Sequence, residues 1–135
     1  VTPVRSFDSP RGRPAPTSIS GHTLSGESVT HEMSGLTLVV AVKTSCDGCR
    51  DFVHSDLEEL SDVTVLIVSA TNDLTGEWDG AVQQVIVAPE ALTALDVRWP
   101  PFYVLVSPDE QRVLVEGVVF GPAQVAAEIA AYLSR

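Results

Sequence analysis

The 135-residue chain carries 18 acidic side chains against 8 basic ones, and its formal charge of −10 repels nucleic acid and anionic membrane surfaces. Hydrophobic residues make up 44% of it, enough for one domain to bury a core without disulfide staples. No run reaches the ~20 apolar residues of a membrane span, and residues 1–16, with Arg5, Arg11 and Arg13, have no apolar centre of the signal-peptide kind.

The first residue is Val rather than Met, the pattern of a mature or excised chain. Residues 1–18 hold Pro3, Pro10, Pro14 and Pro16 without periodicity, which predicts an extended or partly disordered lead-in to a domain over 19–135. Turn signals at Ser20-Gly21 and Ser25-Gly26 separate two short predicted strands around Ile19 and Val29. The continuous, β-branched run 36–42 reads as a buried strand. Beyond Ser45, Phe52, Val53, Leu57 and Leu60 recur at helical spacing among Asp51, Asp56, Glu58 and Glu59, which predicts an amphipathic helix from Cys46 to about Leu60.

A second apolar strand is predicted over 63–68, followed by a polar loop over 71–80 with Trp78 covering one side of the fold. Residues 82–87 read as a short strand, and Pro89 opens a short helix through Leu95. Residues 102–106 form a third clear strand, and Ser107-Pro108-Asp109-Glu110 turns it into an antiparallel partner over 112–115. Gly121-Pro122 opens a terminal helix with Val125, Ile129 and Leu133 on one face. The order β-α-β, strand and short helix, then β-β-α, implies an α/β fold with a mixed central sheet and helices on both faces.

Cys46-Asp47-Gly48-Cys49 holds the only two cysteines, at the switch from strand to helix. A cysteine at a helix N-terminus has its thiolate stabilised by unpaired backbone N–H groups and the helix dipole. Such a thiolate attacks disulfides, and a second cysteine three residues on resolves the mixed disulfide. A zinc site needs four ligands, and His22, His31, His54 and scattered carboxylates offer neither a second Cys pair nor an H-x3-H spacing, so no metal is expected. A purely structural disulfide with a two-residue spacer would remove little unfolded-chain entropy. Two inert buried thiols remain an open reading. His54 lies eight residues after Cys46, ~12 Å along a helix at ~1.5 Å per residue, and reads as a surface histidine. Asp47 places a negative charge beside Cys46, which opposes the thiolate and tilts the couple towards a reductant. Gly48 adds flexibility and leaves the Cys46 sulfur accessible.

With the dithiol after an early strand and a proline just before the later hairpin, the chain resembles the thioredoxin fold. More narrowly, it is similar to the TlpA-like and MauD-like branch. Gly12-Arg13-Pro14-Ala15-Pro16 resembles that branch's Gly-x-x-Ala-Pro lead-in, and residues 24–29 its first hairpin. Cys49-Arg50 matches a frequent pair, Arg98-Trp99-Pro100-Pro101-Phe102 occupies the cis-proline position, residues 107–110 resemble the following turn, and Gly117 the glycine ending the hairpin.

The resemblance implies that Cys46 attacks, Cys49 is the buried resolving thiol and Pro101 is the cis-proline lying against the dithiol. It implies no cofactor, a protein disulfide or thiol substrate and an electron donor as partners, and work outside the cytoplasm. Ser45, preceded by Thr44, stands where thioredoxins have Trp, and Val40 where they bury an Asp; Lys43 is the nearby charge. Pro100 has no N–H to offer a bound peptide strand. The expected function is a thiol–disulfide oxidoreductase reducing a restricted protein disulfide. The alternative is a weakly active or non-catalytic binding or assembly module of the same fold.

Overall fold

Residues Thr37–Val42 are buried at every position and form β3, a strand with no wet face that needs cover on both sides. The computed structural model describes residues 14–134. Around β3 it assembles one seven-stranded sheet, in spatial order β2 (Ser28–Glu32), β1 (Ser18–His22), β5 (Val85–Val87), β4 (Thr64–Ser69), β3, β6 (Phe102–Ser107) and β7 (Arg112–Val118). β4 runs parallel to β3, β6 antiparallel on the other side, and β7 closes that edge. β5 extends the parallel part, while β1 and β2 form a hairpin joined to β5 by the pair His22–Val87.

Alternation along β3 divides the core in two. Leu38, Val40 and Val42 face a layer built with Phe52, Trp78 and Ile129, contributed by α1 (Asp47–Val53), the following loops and α3 (Pro122–Leu133). Val39 and Ala41 face the layer of Ile19, Ile86, Leu92 and Val104, which includes α2 (Pro89–Ala94). The mixed sheet with helices on both faces is therefore present.

Several boundaries differ from the sequence reading, each for a local reason. The helix after Cys46 stops at Val53, capped by His54, and only a 3-10 turn (Glu58–Leu60) follows. Ser55 Oγ accepts the Leu57 N–H at 3.1 Å and Asp56 Oδ1 the Glu58 N–H at 3.2 Å, so these side chains compete with the helical ladder. Leu57 adopts φ 58°, and the break still turns Leu57 and Leu60 into the core. β5 begins only at Val85 because the N–H groups of Val82 and Gln83 both donate to Val53 O at 3.0 Å, holding that segment to the end of α1.

Ser20-Gly21 is not a turn but lies inside β1, where a Cβ on Gly21 would collide with the Val87 carbonyl of β5. β7 continues to Val118, beyond the expected end, and Leu133 of α3 is exposed while Val125 and Ile129 are buried. Of the expected lead-in, residues 1–13, including Gly12 and Arg13, lie outside the described residues. Pro14 bridges Arg112, and the Ala15 N–H donates to Gln111 O at 2.9 Å.

Candidate functional site

Past the end of β3 the chain runs through Lys43, Thr44 and Ser45 to Cys46, the N-cap of α1, with φ −138° and ψ 114°. The Cys46 Sγ accepts the Cys49 N–H at 3.2 Å, so the sulfur occupies the place of a capping oxygen on the first turn. Cys46 and Cys49 form a disulfide with their Cα atoms 5.2 Å apart. Cys46 is half-buried and Cys49 has no exposed surface. The buried cysteine packs into the layer that holds Val40, Phe52 and Trp78.

Gly48 has a packing reason. A Cβ there would lie 2.7 Å from Phe120 O and 2.9 Å from Phe120 C, so only glycine lets α1 approach the chain entering α3. Asp47 is not an isolated charge beside the sulfur, since its carboxylate pairs with the Arg50 guanidinium. Arg50 also donates through Nη1 to Glu77 Oε1 at 2.9 Å.

Glu77, on the loop between β4 and β5, escaped the sequence reading. Its two oxygens accept the Ser45 N–H at 2.9 and 2.8 Å, and Oε2 also accepts the Thr75 hydroxyl at 3.0 Å. The Ser45 N–H holds the Glu77 carboxyl below the ordinary glutamate value. Partial burial opposes that shift, and Arg50 and Thr75 add to it. The Glu77 carbonyl meets His54 Nε2 at 2.8 Å; His54 is exposed, as its position along the helix suggests.

The loop that carries Glu77 is folded around Asp73. The Asp73 carboxylate accepts N–H groups of Trp78 at 2.7 Å, Gly76 at 3.0 Å and Thr75 at 3.1 Å, and the Thr75 hydroxyl at 2.9 Å. Burial pushes the Asp73 carboxyl up, but these four donors together hold it below the ordinary aspartate value. Trp78 is 1% exposed, so it is a core anchor of this loop rather than a lid over one side of the fold.

The Pro100–Pro101 bond is cis. The pairing of Ala41 with Phe102 puts Pro101 at the same end of the sheet as the disulfide loop. Pro101 O accepts the Val119 N–H at 3.2 Å, which ties this turn to the segment abutting Gly48. Around it Trp99 is 80% exposed, Phe120 76% and Val118 48%. Val40 is fully buried, and among the described residues the buried polar side chains are Thr37, Ser69 and Ser107, so no buried carboxylate stands behind Cys49. His22 and His31 lie on β1 and β2, and no group of three or more His, Cys, Asp or Glu side chains suited to a metal exists among the described residues.

No protein-family model matches the chain, and no curated protein does either. Solved structures do match. The thioredoxin domain of a thiol-disulfide oxidoreductase from Bacteroides vulgatus is 20% identical at TM-score 0.59, over 89% of this chain and 96% of that one. A thiol:disulfide interchange protein of the thioredoxin family from Chlorobium tepidum is 19% identical at TM-score 0.60, over 91% and 97%. An exposed lipoprotein thioredoxin from Streptococcus pneumoniae is 15% identical at TM-score 0.56, over 82% and 98%. The chain has the thioredoxin fold.

Proposed function

We propose that the chain is a thiol–disulfide oxidoreductase in which Cys46 attacks and Cys49 resolves, and that it reduces a restricted set of protein disulfides outside the cytoplasm. The observation that carries this reading is the inequivalence of the two sulfurs. Cys46 is half-buried and caps a helix, while Cys49 is fully enclosed and bonded to it.

In the reduced protein the Cys46 thiolate attacks one sulfur of a partner disulfide, and the other partner sulfur leaves as a thiolate. The Cys49 thiolate then attacks Cys46 Sγ, which forms the Cys46–Cys49 disulfide and releases the second partner thiolate; solvent protonates both leaving groups. Two electrons pass to the partner, and a dithiol reductant returns the site to its starting state. The amide capping of Cys46 favours its thiolate. The extracytoplasmic setting draws support from the likeness to an exposed lipoprotein thioredoxin. No helix among the described residues is long and apolar enough to cross a membrane.

A second reading, a binding or assembly module with a slow dithiol, is favoured by two observations. No buried acid among the described residues stands by to deprotonate Cys49, and Pro100 offers no N–H to an incoming peptide strand. Titration of the pair in dithiothreitol buffers, read by mass after thiol trapping, separates the two. A reversible two-electron transition together with reduction of a protein disulfide supports the oxidoreductase. A pair that stays in one state across the accessible range supports the module.

A further inference from the structure

The loop between β4 and β5 reaches back to the chain on either side of the dithiol through the Glu77 side chain. Ser45, the residue just before Cys46, has φ 61°, a conformation that a non-glycine residue holds only when its surroundings enforce it. Its N–H is clamped by both oxygens of Glu77, at 2.8 and 2.9 Å. The same carboxylate takes the Arg50 guanidinium at 2.9 Å from the far end of the first turn of α1, and Arg50 in turn pairs with Asp47 inside the spacer. Glu77 thus holds the chain on both sides of the Cys46–Cys49 pair, and its side chain is only 18% exposed.

We infer that Glu77 is a positioning residue of the dithiol: it fixes the backbone that presents Cys46 and adds the negative charge that restrains its thiolate. The inference rests on the oxidoreductase reading for its consequence, because a restrained thiolate makes the couple more reducing. The electrostatics follow from counting charges. Asp47 and Glu77 are two carboxylates against the single guanidinium of Arg50, so the network beside the sulfur is net negative. Asp73 shares the Thr75 hydroxyl with Glu77 and adds a further negative charge on this loop, while Lys43, Asp51 and His54, close by in the chain or bonded to the loop, are all exposed. Glu77→Gln leaves a side-chain oxygen for the Ser45 N–H and removes the charge. Glu77→Ala removes both.

Two measurements on the reduced protein decide, with the dithiothreitol equilibrium beside them as a third. The first is the pH profile of Cys46 alkylation by iodoacetamide. It should move to lower pH by about half to one unit in both Glu77 variants, a roughly three- to tenfold gain in thiolate near neutral pH. The dithiothreitol equilibrium should move towards the reduced dithiol by a similar factor, where tenfold corresponds to ~30 mV. The second is hydrogen exchange of the Ser45 amide, which should be slow in the wild type, nearly as slow in Glu77→Gln and fast in Glu77→Ala. Asp79→Asn, which removes a charge on the same loop that bonds neither Ser45 nor Arg50, should leave the alkylation profile in place. Unchanged profiles in both Glu77 variants, or an equal shift in Asp79→Asn, would overturn the inference. Alkylation is read on the reduced protein whether or not it turns over, so it judges Glu77 apart from the redox reading, which fails separately if the wild-type pair cannot be cycled.

Discussion

The disulfide has two borders built from different chemistry. Along one, residues 45–50 and the 73–78 loop are joined by ion pairs and charged hydrogen bonds centred on Glu77 and Asp73. Along the other, Trp99, Val118 and Phe120 expose apolar side chains beside a proline turn. The polar border acts on the sulfur, through the conformation and field around Cys46. Under the proposed function the apolar border is the one that meets a partner, offering contact area where Pro100 withholds a main-chain hydrogen bond.

Substitutions that touch one border and spare the other can break this division. The largest effect should come from Gly48→Ala, where the two borders meet. Its added methyl has no room against Phe120, so a loss of about 1–3 kcal/mol is expected, seen as a fall of several degrees in thermal midpoint together with slower exchange. A midpoint equal to that of the wild type would mean that the approach of α1 to α3 is loose. Next, Trp99→Ala or Phe120→Ala should lower kcat/KM for a protein disulfide by about tenfold, as for a moderate contact residue, and leave glutathione disulfide unaffected. Equal losses on both substrates would place these rings in the chemistry instead.

Smaller effects belong to the polar border. Asp47→Asn should make the couple more oxidising, by less than the ~30 mV that a tenfold change represents, because Arg50 already shares that charge. A redox titration reads it, and a shift towards a stronger reductant would contradict it. The smallest effect is on stability in acid. Glu77 and Asp73 both titrate below their ordinary values in the folded chain, so the stability they add is complete above those values and disappears as pH falls through the folded ones. Thermal midpoints followed from neutral pH down through the carboxylate range should fall less in Glu77→Gln than in the wild type, and parallel curves would show that the clamp adds nothing.

Local pattern carried most of the fold into view. The apolar runs that became β3, β4 and β6 are buried on both faces, and a strand of that kind declares itself without its neighbours. The dithiol, its place at a helix start and the proline ahead of β6 were legible for the same reason, since each is written in a few adjacent residues. What was hidden depends on contacts distant in sequence. The end of α1 is set by Ser55 and Asp56 bonding nearby amides, and helical spacing alone continues past it to Leu60. Glu77 lies 32 residues from Ser45, and nothing in the polar stretch 71–80 distinguishes it from its neighbours until the loop folds around Asp73 and Trp78. Gly48 looked like a flexible spacer because Phe120, which demands it, is remote in the chain.

The division of labour between the two cysteines is tested most directly with single-cysteine variants exposed to glutathione disulfide and followed by intact mass. Cys49→Ser should gain one glutathione adduct on Cys46 rapidly and keep it, because attack proceeds and resolution cannot. Cys46→Ser should stay unmodified over the same time, because Cys49 is enclosed. Rapid, equal modification of both variants, or of Cys46→Ser alone, would contradict the assignment of Cys46 as the attacking thiol.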